Sequence, residues 1–200
     1  MKNKTIDFYN REAKSWLKNH PLKKGTFREK LVNEYKKLLS NGKILEIGCG
    51  PGLDAKLLIG SGFDYTGTDA SKEFIKLAKK LNPNAKFTEV SIENLNFPKN
   101  TFDGFWSSAT LLHIPKNEIN NALEKIKKVC KVGSIGLITL KEGVGEGEEK
   151  ETGRWFSFYK KGEFEEILNQ NGLKTIRFKI FKDQRKNKPN WLIFFVRVAK

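Results

Sequence analysis

Two cysteines, two histidines, one methionine and six prolines in 200 residues leave little material for several kinds of protein. Cys49 and Cys130 lack the spacing of a disulfide framework or of a zinc site. No cluster of histidines and carboxylates has ligand spacing, so no metal is expected. Residues 1–10 hold no apolar stretch long enough for a secretory signal. The most apolar segment, Trp191 to Val198, is far too short to span a bilayer. These absences predict a cytoplasmic protein with no membrane partner. There is no internal repeat and no composition shift that marks a second domain.

Arginine is scarce as well, with Arg11, Arg28, Arg154, Arg177, Arg185 and Arg197 against a large excess of lysine. The net charge of +15 invites a nucleic-acid partner. Arginine is the better bidentate phosphate reader, however. Abundant lysine and asparagine resemble the bias of an AT-rich genome more than a phosphate-binding face. Nucleic acid is therefore not the favoured partner, although the stretch with Lys182, Arg185, Lys186 and Lys188 keeps the possibility open. The oligomeric state has no signature. A hydrophobic fraction of 38% and an aromatic fraction of 12% suffice for one folded domain.

What is present centres on Lys43-Ile44-Leu45-Glu46-Ile47-Gly48-Cys49-Gly50-Pro51-Gly52. A short apolar run with a single acid ends in three alternating glycines, and Leu53 to Ile59 is apolar at helical spacing. This predicts a buried strand, a tight turn and a helix start. Upstream, residues 5–18 put Ile6, Tyr9, Ala13, Trp16 and Leu17 on one helical face. Residues 27–39 repeat the pattern with Phe27, Leu31, Tyr35 and Leu38, and Pro21 and Gly25 separate the two helices. Downstream, strands are predicted over 63–68, 85–90, 101–107 and 134–140. Helices are predicted over 71–81, 117–130 and 161–171. Ser71 is expected to cap the first of these. Glu142 to Gly153 reads as a polar loop. Leu173 to Phe181 and Trp191 to Val198 are strands with no helix between them, hence antiparallel if paired.

A carboxylate at Asp69, closing the second strand, can accept hydrogen bonds from both hydroxyls of a ribose. Glu46, set among Ile44, Leu45 and Ile47, needs a partner. His113 could serve as a general base near neutrality or tie down a loop. Tyr9 could close over a ligand or belong to the core.

The segment from Glu46 to Gly52 resembles the first motif of class I S-adenosylmethionine-dependent methyltransferases. Glu89 to Pro98 resembles that family's adenine-binding motif, with Ser91 where many members carry aspartate. Phe102-Asp103 leading to Leu112-His113 resembles its fourth-strand motif, in which Asp103 would be structural. The segment Lys141 to Tyr159 resembles a glycine- and glutamate-rich loop running into aromatics in small bacterial and archaeal members. The resemblance covers roughly residues 40–200. It implies a Rossmann-like α/β fold, a mostly parallel seven-stranded sheet with a C-terminal antiparallel hairpin. The 41–200 core would be covered by an N-terminal helical cap at 1–40.

The resemblance implies S-adenosyl-L-methionine as cofactor. It would be held by Tyr9, Glu46, Gly48, Cys49, Gly50, Gly52, Asp69, Ala70, Ser91, Ile92, Glu93, Ser107 and Ser108. His113 and Tyr159 are the candidate catalytic bases, and Arg154, Phe156 and Tyr159 the candidate acceptor contacts. The acceptor and the methylated atom (O, N, S or C) stay open. An NAD(P)-linked oxidoreductase is the first alternative, but its G-x-G-x-x-G pattern fails at Leu53. The second is a non-catalytic RNA-binding module of the same fold.

Overall fold

The computed structural model describes residues 2–21, 26–183, 185 and 188–200. Gly25 and Lys186, named above, lie outside these. Two helices lead: α1 (Lys2–Asn19) and α2 (Phe27–Leu38). Then follow β1 (Lys43–Ile47), α3 (Leu53–Gly60), β2 (Asp64–Asp69), α4 (Lys72–Leu81), β3 (Lys86–Glu89) and β4 (Phe102–Ser108). The second half holds α5 (Ile119–Val129), β5 (Cys130–Lys141), two short strands β6 (Glu146–Glu148) and β7 (Trp155–Ser157), α6 (Lys161–Gln170), β8 (Leu173–Phe181) and β9 (Trp191–Val198).

Seven strands form one sheet in the order β3-β2-β1-β4-β5-β9-β8, with β9 antiparallel to both of its neighbours and the other pairings parallel. This is the Rossmann-like architecture that the motif resemblance implied. The core lies on both faces of the sheet, as the unbroken burial of Ile44 to Ile47 requires. One layer packs Phe105, Ile138, Leu140 and Phe194 against α5 and α6. The other packs Tyr35, Ile44, Trp106 and Phe195 under α2 and α3.

The segment read as a loop over 142–153 contains β6, which pairs antiparallel with β7 to make a two-stranded sheet. Ser71 caps α4, its hydroxyl accepting from the Phe74 amide at 3.2 Å. Asp103 sits at the amino end of β4, accepting from the Lys43 amide at 2.8 Å and from Lys131 Nζ at 2.6 Å. It splices strand ends far from the site. Among the described residues no helix is long and apolar enough to cross a membrane.

Candidate active site

The strand order reverses between β1 and β4, so their connections leave to opposite sides and a crevice opens at their carboxyl ends. A cavity of about 210 Å³ fills that crevice. Its base is the loop after β1, including Gly48, Cys49 and Gly50. Asp69 and Ala70 after β2 and Ser91, Ile92 and Glu93 after β3 line one side. Ser108, Ala109, Thr110 and His113 after β4 line the other. Helix α1 lies across the top through Thr5, Ile6, Tyr9 and Trp16.

The glycine loop owes its shape to three left-handed residues, Gly48, Gly50 and Gly52, of which the first two line the cavity. Gly48 has φ +70°, and a Cβ there would stand 2.2 Å from Thr110 Oγ1. Gly50 has φ +52°, and a Cβ there would meet only Phe74, at 4.0 Å. The room a side chain would take at Gly50 is thus left to a ligand. Thr110 joins the two sides of the crevice by donating to the Ile47 carbonyl at 2.9 Å. Ala109, in the left-handed region at φ 56°, has its amide held by Thr139 Oγ1 at 2.8 Å. A strained residue at the rim of a cavity is the usual place for such a conformation.

Asp69 is fixed by its surroundings before any ligand arrives. Its Oδ2 accepts from the Gly50 amide and its Oδ1 from the Ser71 amide, both at 2.8 Å. Each oxygen keeps a lone pair for a further donor. Burial raises its pKa to about 6, the backbone donors pulling in the opposite direction. Ser91 has its Oγ engaged by Asn94 Nδ2 at 3.0 Å.

Glu46 is buried at the far end of the cavity and accepts from the Tyr65 hydroxyl. Burial, reinforced by the charge of Asp54, holds its pKa well above the carboxylate range. Beside it is a group that the amphipathic pattern of α2 concealed. Arg28 reaches the cavity and pairs with Asp54, whose other oxygen accepts from Trp106 Nε1 at 2.9 Å. The cavity therefore presents a carboxyl and a guanidinium side by side.

On the β4 side runs a chain of hydrogen bonds whose direction can be worked out. His113 Nδ1 lies 2.7 Å from the Trp155 carbonyl and must donate to it. Nε2 is then an acceptor, and the Tyr9 hydroxyl donates to it at 2.9 Å. Arg154 Nη1 donates to the Tyr9 oxygen at 3.3 Å. Burial lowers the His113 pKa to about 4. The imidazole is thus neutral with its basic nitrogen occupied, and it ties α1 to β7 instead of waiting as a free base. NMR titration of the His113 ring protons is expected to give a midpoint below about pH 5. A midpoint near the ordinary histidine value would overturn this assignment. Helix α1 is held at two further points. Asn10 Oδ1 accepts from Ser71 Oγ at 2.8 Å and from the Glu73 amide at 3.2 Å, and Thr5 Oγ1 accepts from the Trp155 amide at 2.9 Å.

Five sequence candidates do not line the cavity. Gly52 caps α3 at φ +81° and lets that helix approach α4; a Cβ would stand 2.7 Å from Asn82 Nδ2 and 3.2 Å from Ala78. Ser107 is fully buried, because adjacent residues of a strand face opposite sides and Ser108 takes the cavity side. Tyr159 is also fully buried, with its ring 4.9 Å from that of Phe164 and under Lys116 Nζ at 4.7 Å. That placement makes it core, and burial raises its pKa far beyond use as a base. Phe156 packs behind His113, ring centroids 4.8 Å apart. Arg154 reaches the site only through Tyr9, being held otherwise by Glu149 and Thr152.

Residues 44–133 match the family model described as a methyltransferase domain. The chain is 34% identical over 103 residues to the ubiquinone/menaquinone biosynthesis C-methyltransferase of Rickettsia bellii, covering 46% of this chain and 41% of that protein. The chain thus spans about two fifths of the length of that curated relative. The crystal structure of 1,6-didemethyltoxoflavin-N1-methyltransferase from Burkholderia thailandensis contains 1,6-didemethyltoxoflavin and S-adenosylhomocysteine. It superposes with a TM-score of 0.79 at 16% identity, over 100% of this chain and 87% of that one. Magnesium protoporphyrin IX methyltransferase from Synechocystis PCC 6803, with bound S-adenosylmethionine, gives 0.73 at 16% identity over 98% and 96%. At such identities the structural likeness carries the fold.

Proposed function

We propose, for a chain that belongs to the class I S-adenosylmethionine-dependent methyltransferases, transfer of a methyl group from S-adenosylmethionine to a nucleophilic atom of a small-molecule acceptor. The observation that carries this reading is Asp69. Its carboxylate is preset by two backbone amides at the end of β2, next to a glycine loop with room for a ligand. That arrangement suits a nucleoside with two free hydroxyls. The fit extends along the cavity. Glu46 and Arg28 offer one group for an ammonium and one for a carboxylate, the two ends of an amino acid. Ser91, Ile92 and Glu93 stand where a base would lie. The relatives compared are themselves methyltransferases of small molecules by name, and neither alternative reading gains support from them.

S-adenosylmethionine brings an activated methyl on a sulfonium, with a neutral thioether as leaving group. The residues of the chain then have to align and to exclude water. Glu46, Arg28 and Asp69 would fix the two ends of the donor. Helix α1 would shut out solvent, pinned by Tyr9, Asn10 and Thr5. The basic nitrogen of His113 is occupied by Tyr9, so His113 is not poised as the base for an acceptor that must lose a proton. Calorimetric titration with S-adenosylmethionine, S-adenosylhomocysteine and NAD tests the reading. Micromolar-range binding of the first two is expected. Binding of NAD alone would refute it.

A further inference from the structure

We propose that the acceptor carries an oxyanion, a carboxylate or a phosphate, and that Lys141 receives it on the β5 side of the crevice. This rests on the methyltransferase reading and names the substrate class for it.

Lys141 is the last residue of β5, at the same carboxyl end of the sheet as the cavity and next to β4 in strand order. Its side chain is folded back so that Nζ lies 3.8 Å from the centroid of the Phe156 ring. The other side of the link is short. Phe156 touches His113, which lines the cavity, and Arg154 stands 5.0 Å from the same Phe156 ring. The lysine is half-buried and forms no ion pair among the described residues.

The Phe156 ring face steadies the cation, but a lysine drawn back from water usually also has an anionic partner, and this one has none among the described residues. The nearby acids are already engaged. Glu149 is held by Arg154 and Thr152, Glu142 by Asn190, Glu146 by Ser157 and the Lys116 amide, and Glu148 by Lys4. Burial lowers the Lys141 pKa; Glu149 opposes this, while Arg154, Lys188 and Arg185 push it further down. An anion brought by a ligand would relieve both the lost hydration and the repulsion. Lys141 does not itself line the cavity; it is partly exposed at the carboxyl end of β5, one ring, that of Phe156, away from His113, which does. Phe158, half-buried, has its ring 6.2 Å from that of Phe156 and adds apolar wall.

Benzoate, phenyl phosphate and benzamide would be titrated by NMR into the full chain, with and without saturating S-adenosylhomocysteine. Benzoate or phenyl phosphate is expected to bind roughly tenfold more tightly than the isosteric amide, and which of the two binds more tightly separates carboxylate from phosphate. Lys141→Met should abolish the preference without changing affinity for S-adenosylhomocysteine, and Lys141→Arg should keep it. The proposal is overturned if the three probes bind alike, or not at all, or if Lys141→Met retains the preference. Loss of S-adenosylhomocysteine binding in the wild type, with the oxyanion preference intact, would instead sink the methyltransferase reading and leave the anion site standing.

Discussion

Asp69→Asn is expected to lose roughly a hundredfold in affinity for S-adenosylmethionine while changing the stability of the ligand-free protein by less than about 1 kcal/mol. The two halves of that expectation have different causes. A carboxylate accepting two ribose hydroxyls makes two charge-assisted bonds, each worth about 1.5–3 kcal/mol. An amide offers only one acceptor and turns a donor toward a hydroxyl. For stability, two effects oppose each other. Asp69 ionises with a pKa raised from the ordinary 3.8 to about 6, so the folded state holds the proton more tightly than the unfolded chain. Its contribution is therefore favourable at low pH and is lost as pH rises through about 6. For a wholly buried acid this would be about 3 kcal/mol. Asp69 is half-buried and faces the cavity, so water screens it and about 1 kcal/mol is the better figure. Asparagine removes that cost but sets an amide donor against the Gly50 or Ser71 amide, which costs a similar amount. The same pKa contributes one step to the pH dependence of binding. The ligand requires the ionised form, so its uptake expels a proton and affinity weakens as pH falls through about 6. Calorimetry at pH 5.5, 6.5 and 7.5 should show this decline, and Asp69→Asn should remove one proton's worth of it. Unchanged affinity in the variant would exclude Asp69 as the hydroxyl acceptor.

The βα units were legible because hydrophobic period and turn residues agree along most of the chain. The run Ile44 to Ile47 is apolar on both faces and can only be a covered strand, and Ser71 announces α4 through its cap. The short β6 was hidden because Glu-Gly-Glu has no alternation and draws its order from pairing with Trp155 to Ser157. Asp69, Gly48 and Gly50 do line the cavity, because a left-handed turn after β1 demands glycine and the acid closes β2 at the same end of the sheet; Gly52 packs toward α4 instead. Arg28 could not be anticipated, since a charged residue on an amphipathic helix reads as solvated until the fold lays that helix beside Asp54. The aromatics after the polar loop are hard to place from sequence for a related reason. Tyr159 and Phe156 carry no periodic signal of which way they face, and the isolated bridge Glu142–Tyr159 turns Tyr159 into the core. Of the adjacent serines at the end of β4, strand alternation lets only Ser108 face the cavity, and Ser107 is fully buried.

Asp54→Ala should lower the melting temperature by several degrees, corresponding to about 2–3 kcal/mol, and weaken S-adenosylmethionine binding as well. An exposed ion pair would be worth at most about 1 kcal/mol, but this one is lopsided. The Asp54 side chain is 4% exposed and that of Arg28 37%. Removing the carboxylate strands the Trp106 indole N–H, which is fully buried under α2 and loses its 2.9 Å partner. An orphaned buried donor costs about 1–3 kcal/mol. Arg28 recovers part of its loss by turning to water, which is why the total falls short of the 3–5 kcal/mol typical of a broken buried pair. That same turn withdraws the guanidinium from the cavity, so affinity falls through positioning. Asp54→Asn separates the two roles. Its carbonyl can still accept from Trp106, so stability should be largely restored, while Arg28 loses its charged anchor and binding stays impaired. Equal melting temperatures for the wild type and Asp54→Ala would show that the pair does not hold α2 to the sheet. Unimpaired binding in Asp54→Asn would show that Arg28 does not meet the carboxylate of the methyl donor.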